Sequence, residues 1–321
     1  MTEISSFSHD LQASTPDVRL SLTRAGVTGV QKAVHVRHEG RETVMAAEIE
    51  CTVDLSREQK GVHMSRFPEL FEEAIEAVVG SEALHVETLA EQIARHIVGR
   101  QRALRAEARI TARWPIRRTT PVSRLATQEM VSLVGIAAAT ADGVRRVVGV
   151  EAIGINACPC AQGLVRGRAA ERLAEAGYED VDRILDLVPL ATHNQRGRGS
   201  LYVGTDRQRD ANDLVAIVQA SMSAPIYELL KRPDELFVVE HAHLQPRFVE
   251  DSVRLSLKGA LDTMTDLDDE DFLFARQLNF ETIHAHDVVA ERQGTVGELR
   301  AELATGAQPQ RHTSLAEWLA S

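Results

Sequence analysis

Cysteine is nearly absent from this chain: Cys51, Cys158 and Cys160 are the only three among 321 residues, so no disulfide framework holds the fold. Lysine is almost as scarce, at Lys32, Lys60, Lys231 and Lys258, and 36 basic against 47 acidic residues leave a formal net charge of −11. That balance argues against general nucleic-acid binding. No apolar run approaches the roughly 20 residues of a membrane span. The opening MTEISSFSHDLQ is too acidic and polar for a secretory signal, and a cytoplasmic protein is expected. GxxxxGK(S/T) is missing, as is GxGxxG after a strand, so neither P-loop nor Rossmann nucleotide binding is supported. Low-complexity linkers are missing too.

What remains is an ordinary globular composition, 44% hydrophobic and 26% charged, long enough for about two domains. Residues 1–16 show little periodicity and read as a flexible or loosely docked arm. VRLSLTRAGVTGVQKAVHVRH reads as a hairpin about a glycine turn, and ETVMAAEIECTVDL as another strand. FPELFEEAIEAVVG (67–80) has helical spacing with a glycine cap, and LHVETLAEQIARHIVGRQRA is a second helix. RALRAEARITARW and MVSLVGIAAATADGVRRVVGVEAIGINA return to strand character, with ADG as the turn. Beyond residue 158 the order partly repeats: helices at 163–177, 210–232 and FVEDSVRLSLKGALDTM, strands at SLYVGTD and FLFARQLNF…HDVVAER. The expected class is α+β in two modules, 1–157 and 158–321.

INACPCAQG (155–163) concentrates the chemistry. A Cys158–Cys160 disulfide is disfavoured, since neighbours two apart in an extended segment face opposite ways and Pro159 stiffens the link. One metal-bound thiolate with a supporting cysteine is the natural functional reading; two small buried residues after a strand is the bland one. Histidines and carboxylates recur in THNQRGRG (192–199), ELFVVEHAH (235–243) and ETIHAHD (281–287). Thiolate, imidazole and carboxylate together suit Zn²⁺ or Fe²⁺ better than Mg²⁺ or Ca²⁺. The spacings are long, so spacing alone leaves the ligand set open. If 236–243 is a strand, His241 and His243 share a face. RWPIRRTTPVS (113–123) and NQRGRG read as basic loops suited to an anion, with Arg66, Arg117, Arg196 and Arg198 as candidates for phosphate.

ACPCAQ, ATHNQRGRG, YELLKRPDE, PRFVED and NFETIHAHD, with KGVHMSRFPE upstream, together resemble the type IB GTP cyclohydrolases, most closely their archaeal MptA branch. The resemblance runs from about residue 16 to about residue 303. It implies the tunnelling fold, with two tandem modules of antiparallel sheet and helix pairs. It further implies a homodimer or homotetramer closing barrels, with active sites between subunits. The implied substrate is GTP, opened at the guanine imidazole ring with loss of formate. The implied product is 7,8-dihydroneopterin 2′,3′-cyclic phosphate for methanopterin or folate-type pterins; the bacterial-type outcome is the triphosphate. Fe²⁺ is the implied metal, with Zn²⁺ or Mn²⁺ as alternatives. By position, Cys158, His193 and Glu235 match metal ligands and Glu250 the guanine anchor. Glu281 and His284 match the pair beside the metal, with His284 as a further ligand or proton relay.

Overall fold

The structure is a computed structural model and describes residues 10–38, 41–78 and 85–321. Its elements in order are β1 (Leu22–His38), β2 (Arg41–Leu55), α1 (Arg66–Val78), α2 (Val86–Gln101), β3 (Arg105–Thr119), β4 (Ala126–Thr140), β5 (Val144–Ala157), α3 (Pro159–Glu175), α4 (Val181–Asp186), β6 (Asn194–Gly204), α5 (Ala211–Ser221), β7 (Ala224–Pro225), α6 (Arg232–Leu244), α7 (Val249–Thr263), β8 (Phe272–Asn279), β9 (Val288–Thr295), α8 (Val296–Thr305) and α9 (Leu315–Trp318). The strands form one antiparallel sheet in the order β1-β2-β3-β4-β5-β6-β8-β9, with the short β7 also paired to β5. From β1 to β4 the pattern is two strands, two helices, two strands. From β5 to β9 it recurs with α5 and α7 as the helix pair and with α3, α4 and α6 as additions.

Strand alternation decides which side is packed. In β3, Ala106, Ala108, Ile110, Ala112 and Trp114 are buried on every second residue, as a sheet covered on one face requires. That face meets α1, α2, α5 and α7, whose Phe67, Phe71, Leu89, Ile93, Leu214 and Leu257 join one continuous core. The other face is covered only locally. Val134, Ile136, Ala138, Val147, Tyr202 and Phe272 pack beneath Trp318 and Leu319 at α9, and Trp318 Nε1 donates to the Glu270 carbonyl at 2.8 Å. The β4–β5 hairpin turns at residues 141–143 as ADG suggested, with Thr140 N donating to Gly143 O at 2.9 Å. Its pairing carries the sheet without interruption from one half into the other, and the 157/158 division falls between β5 and α3.

Three expectations are corrected. The stretch read as a first hairpin is the single strand β1, and Gly29 (φ +69°) lies at a register shift between Val27 and Val30; it makes a bulge, not a turn. The helix expected over 210–232 ends at Ser221, because Pro225 has no amide to continue it and residues 224–225 pair with β5. Residues 236–243, weighed as a strand that would put His241 and His243 on one face, are α6. Its start is fixed by Pro233 in the first turn and by Asp234, whose Oδ2 accepts from Lys231 N at 2.9 Å. The glycine cap of 67–80 lies outside the described residues. So do the first nine residues of the arm, but residues 10–14 are docked: Lys60 N donates to Ser14 O at 2.8 Å, and Asp10 pairs with His63 at 2.9 Å.

Candidate active site

Two strand ends and one helix start converge where β5 finishes. Asn156 is completely buried and its side chain is held from both sides: Nδ2 donates to Ser252 Oγ at 3.1 Å and to Asn279 Oδ1 at 3.2 Å, while Oδ1 accepts from Ser223 N at 3.1 Å. Gln277 Nε2 adds a bond to Asn279 Oδ1 at 3.0 Å. Buried polar groups are tolerated only when partnered in this way, and the resulting network fixes a unique geometry. Gly197 and Gly199 make room for it. A Cβ on Gly197 would lie 2.3 Å from Gln277 Nε2, and one on Gly199 2.6 Å from Val218 Cγ1.

Cys158 follows immediately as the N-cap of α3, with Pro159 in the first turn. Its sulfur accepts from Ala161 N at 3.5 Å, and its backbone N–H donates to His193 O at 3.1 Å. Thr192 Oγ1 donates to Cys158 O at 2.7 Å. Cys158 and His193, 35 positions apart, are thereby stitched together by backbone. The second cysteine, Cys160, is exposed, and no disulfide is formed.

His193 is oriented from behind. Its Nδ1 lies 3.1 Å from Gln195 Oε1 and 3.7 Å from Glu281 Oε2, and Gln195 Nε2 donates to Glu281 Oε1 at 3.1 Å. The Glu281 side chain is 6% exposed and its Oε2 has no hydrogen-bond partner. Nδ1 facing an amide oxygen makes it the protonated nitrogen, which leaves Nε2 with a free lone pair. A ligand histidine held through its other nitrogen is the usual arrangement around a metal. Gln195 escaped the sequence reading because NQRGRG was taken as a loop. It is the first half of β6, where Gln195, Gly197 and Gly199 face inward while Asn194, Arg196 and Arg198 face out. RWPIRRT is likewise strand, the end of β3, rather than loop.

The other candidates are placed at different distances from this point. Arg196 and Arg198 project from β6 with no carboxylate partner among the described residues, and Arg198 lies over the Phe280 ring at 5.6 Å. Glu250, exposed in the first turn of α7, is brought close by backbone, since Arg247 N donates to Ala157 O at 3.0 Å. His284 and His286 stack at 5.2 Å in the exposed segment between β8 and β9. Glu235 is exposed on α6. Its neighbour Asp234 is fully buried; burial opposes the ionised form, but hydrogen bonds from the Ser123 hydroxyl and from the N–H groups of Ser123, Lys231 and Val122 hold its carboxyl well below the usual range. Arg66 is remote. It donates to Arg100 O at 2.6 Å, near the starts of β3 and β5, about 40 Å along β5 from Cys158. His241 and His243 stand two apart on a helix and so do not share a face. Among the described residues no three His, Cys, Asp or Glu side chains gather in one chain to hold a metal ion. Cys158 and His193 are joined through backbone, and no third donor gathers with them among the described residues.

A large antiparallel sheet with helix pairs on one face, repeated in tandem, is also the architecture of the uricase from Arthrobacter globiformis. The two share the fold at a TM-score of 0.51 with 8% identity, over 92% of this chain and 98% of that one. A hyper-thermostable mutant uricase gives 0.53 at 9% identity, over 92% and 97%. These likenesses define a tunnelling-fold protein. Sequence then narrows the class. Residues 9–290 match the type I GTP cyclohydrolase folE2 family, and the chain belongs to that family. It is 40% identical over 305 residues to GTP cyclohydrolase MptA of Methanococcus aeolicus, covering 92% of this chain and 99% of that protein. With the protein of the same name from Methanosarcina acetivorans it shares 38% over 307 residues, 92% and 96% of the two chains.

Proposed function

We propose that this chain is a metal-dependent GTP cyclohydrolase of the MptA kind, opening the guanine imidazole ring with release of formate. The observation that carries the reading is the Cys158–His193–Gln195–Glu281 arrangement at the ends of β5 and β6, in a chain whose relatives bear that name. Cys158 and the free Nε2 of His193 are the donors for the metal; thiolate with imidazole serves Fe²⁺, Zn²⁺ and Mn²⁺ alike, and Fe²⁺ is proposed from the resemblance to the MptA branch. A divalent cation there supplies Lewis acidity, the property that makes water a nucleophile near neutral pH. Gln195 and Glu281 fix the tautomer and angle of His193. Glu250 accepts from guanine N1–H and the 2-amino group, two donors side by side that suit one carboxylate. Arg196 and Arg198 hold phosphate oxygens. His284 passes a proton to the ring nitrogen as its bond to carbon 8 breaks.

Completion of the site by a second copy is part of the proposal. α3 has 17 residues and buries none of them, while Leu164 is 74% exposed and Leu236 on α6 is 60% exposed. Helices left uncovered in this way, with exposed leucines, suit a subunit contact. A homodimer or homotetramer would bring Glu235 of one protomer to the thiol and imidazole of its partner. The product is proposed as 7,8-dihydroneopterin 2′,3′-cyclic phosphate, feeding methanopterin or folate-type pterins. No helix among the described residues is long and apolar enough to cross a membrane, in keeping with the cytoplasmic location proposed. The test is anaerobic turnover of GTP by stripped protein reloaded with Fe²⁺, Mn²⁺ or Zn²⁺, with formate assayed and the pterin weighed by mass spectrometry. Formate with the cyclic phosphate supports the reading; formate with the triphosphate moves the product to the bacterial type. No formate with any metal refutes it.

A further inference from the structure

In the PRFVED segment Glu250 enters the proposed chemistry and Arg247 does not, yet Arg247 stands where three parts of the chain meet. Its backbone N–H donates at 3.0 Å to the carbonyl of Ala157, the last residue of β5. Its half-buried side chain reaches the other way. Nη1 donates to the Met222 carbonyl at 2.9 Å and to the Ala220 carbonyl, both at the C-terminal end of α5, and Nη2 donates to Gln245 Oε1 at 3.2 Å. Carbonyls at a helix end lack an intrahelical partner, and a cation there also answers the negative end of the helix dipole. Two residues beyond Arg247, α7 begins at Val249.

Both sides of this junction belong to the proposed site. Ala157 immediately precedes Cys158, and Arg247 lies three residues before Glu250. The chain just past α5 is fastened to the same strand end: Ser223 N donates to Asn156 Oδ1 and Ala157 N to Ser223 Oγ, each at 3.1 Å. From β5, Asn156 Nδ2 donates to Ser252 Oγ of α7 at 3.1 Å. Polar bonds thus run from α5 to β5, from β5 to α7, and back to α5 through the Arg247 guanidinium. Ring opening makes a demand on this junction. A guanine held by Glu250 through its N1–H and 2-amino edge presents carbon 8 from the opposite edge. The spacing of Glu250 from Cys158 and His193 therefore decides whether carbon 8 lies beside that pair. A misplacement of about 1 Å can cost about 100-fold in rate.

We propose that Arg247 is a positioning residue: by bracing the start of α7 against α5 and β5 it fixes Glu250 relative to the thiol and imidazole, and it acts through that brace rather than on the substrate. The inference rests on the catalytic reading above. The test compares wild type with Arg247→Met, which removes charge and donors, and with Arg247→Lys, which keeps the charge and a donor on a shorter stem. Formate release by the Fe²⁺-loaded proteins gives kcat and KM, at a temperature below the lowest Tm. Stripped proteins are titrated with Fe²⁺ and, separately, with GTP by calorimetry. In Arg247→Met kcat should fall about 30- to 100-fold, while KM and both affinities stay within about threefold of wild type. Arg247→Lys should lie between the two; if the Met variant does not fold, it serves alone, with kcat lowered about threefold or more at unchanged KM. A role in stability alone would lower Tm and leave kcat per bound Fe²⁺ unchanged, which overturns the proposal. So does a loss confined to KM or to GTP affinity, or a Lys variant as inactive as the Met variant. A wild type that releases no formate refutes the catalytic reading itself, whereas an active wild type with Arg247→Met at wild-type kcat overturns this inference alone.

Discussion

Replacing Gly197 by alanine tests whether the packed polar network, rather than the strand ladder alone, sets the geometry beneath Cys158. The added Cβ would stand 2.3 Å from Gln277 Nε2 and 2.6 Å from Asn279 Oδ1. Those side chains are 1% and 3% exposed and have no open space to retreat into. Relaxation must break the Gln277–Asn279 bond at 3.0 Å and strain the Asn156–Asn279 bond at 3.2 Å. A buried group left unpaired costs about 1–3 kcal/mol, and overpacking adds about 1–3 kcal/mol. Together they give about 2–6 kcal/mol. Unfolding entropy of about 2.1 cal/mol/K per residue, over 321 residues, is about 0.7 kcal/mol/K, so Tm should fall by about 3–9 °C. Gly167→Ala is the control. Nothing lies within 4 Å of its Cβ, and the helix α3 should gain about 0.5–1 kcal/mol. Differential scanning calorimetry on both variants decides the matter. If Gly197→Ala melts within a degree of the wild type, the network does not constrain the site as argued.

Cys158→Ala should abolish GTP turnover while Tm moves little, because the sulfur makes one weak capping bond at 3.5 Å; activity at the wild-type level in an alkylation-blocked assay would remove Cys158 from the chemistry. Gln195→Leu should weaken metal binding about 10–100-fold by freeing the His193 ring, read by titrating stripped protein with Fe²⁺; unchanged affinity would make Gln195 a packing residue only. Asp234→Asn should lower Tm at neutral pH, since the carboxyl pKa is depressed in the folded chain by its hydrogen bonds. A depressed pKa gives stability that is present above the ordinary carboxylate range and is lost as pH falls through the folded value, so the Tm gap between wild type and variant should close only in strong acid. Cys51, whose thiol burial pushes up to about 12, should resist iodoacetamide at pH 8 in native protein while exposed Cys160 reacts; equal labelling would show that the β2 core opens.

Much of the fold was legible because its signals were local. The ADG turn, the period-two burial of β3 and the helical spacing of α2 each follow from residues within one element. The misreadings share a cause. Gly29 looks like a turn unless its neighbours on β2 are known to continue past it. ELFVVEHAH has the β-branched run of a strand, and what makes it helical is a carboxylate, Asp234, bonded to Val122 and Ser123 more than a hundred residues earlier. The site was legible by resemblance in its types and only partly in its geometry. Cys158 and His193 are joined through backbone atoms, which carry no sequence signal. Gln195 was hidden by reading a strand as a loop. Glu235 is exposed away from the pair it was expected to join, because the buried position beside it is taken by Asp234.

β5 runs through the middle of the sheet, with Val148 near its start and Cys158 just past its last residue. It is locked on both sides, to β4 through eight paired positions and to β6 through eleven. A strand so held is a beam and not a piston: sliding it by one residue would turn every inward side chain outward and destroy both ladders. Motion from one end of β5 to the other therefore cannot travel as a shift of register. What the beam does permit is twist, shared by all its neighbours at once, so the two ends would be coupled as the two ends of a torsion bar are.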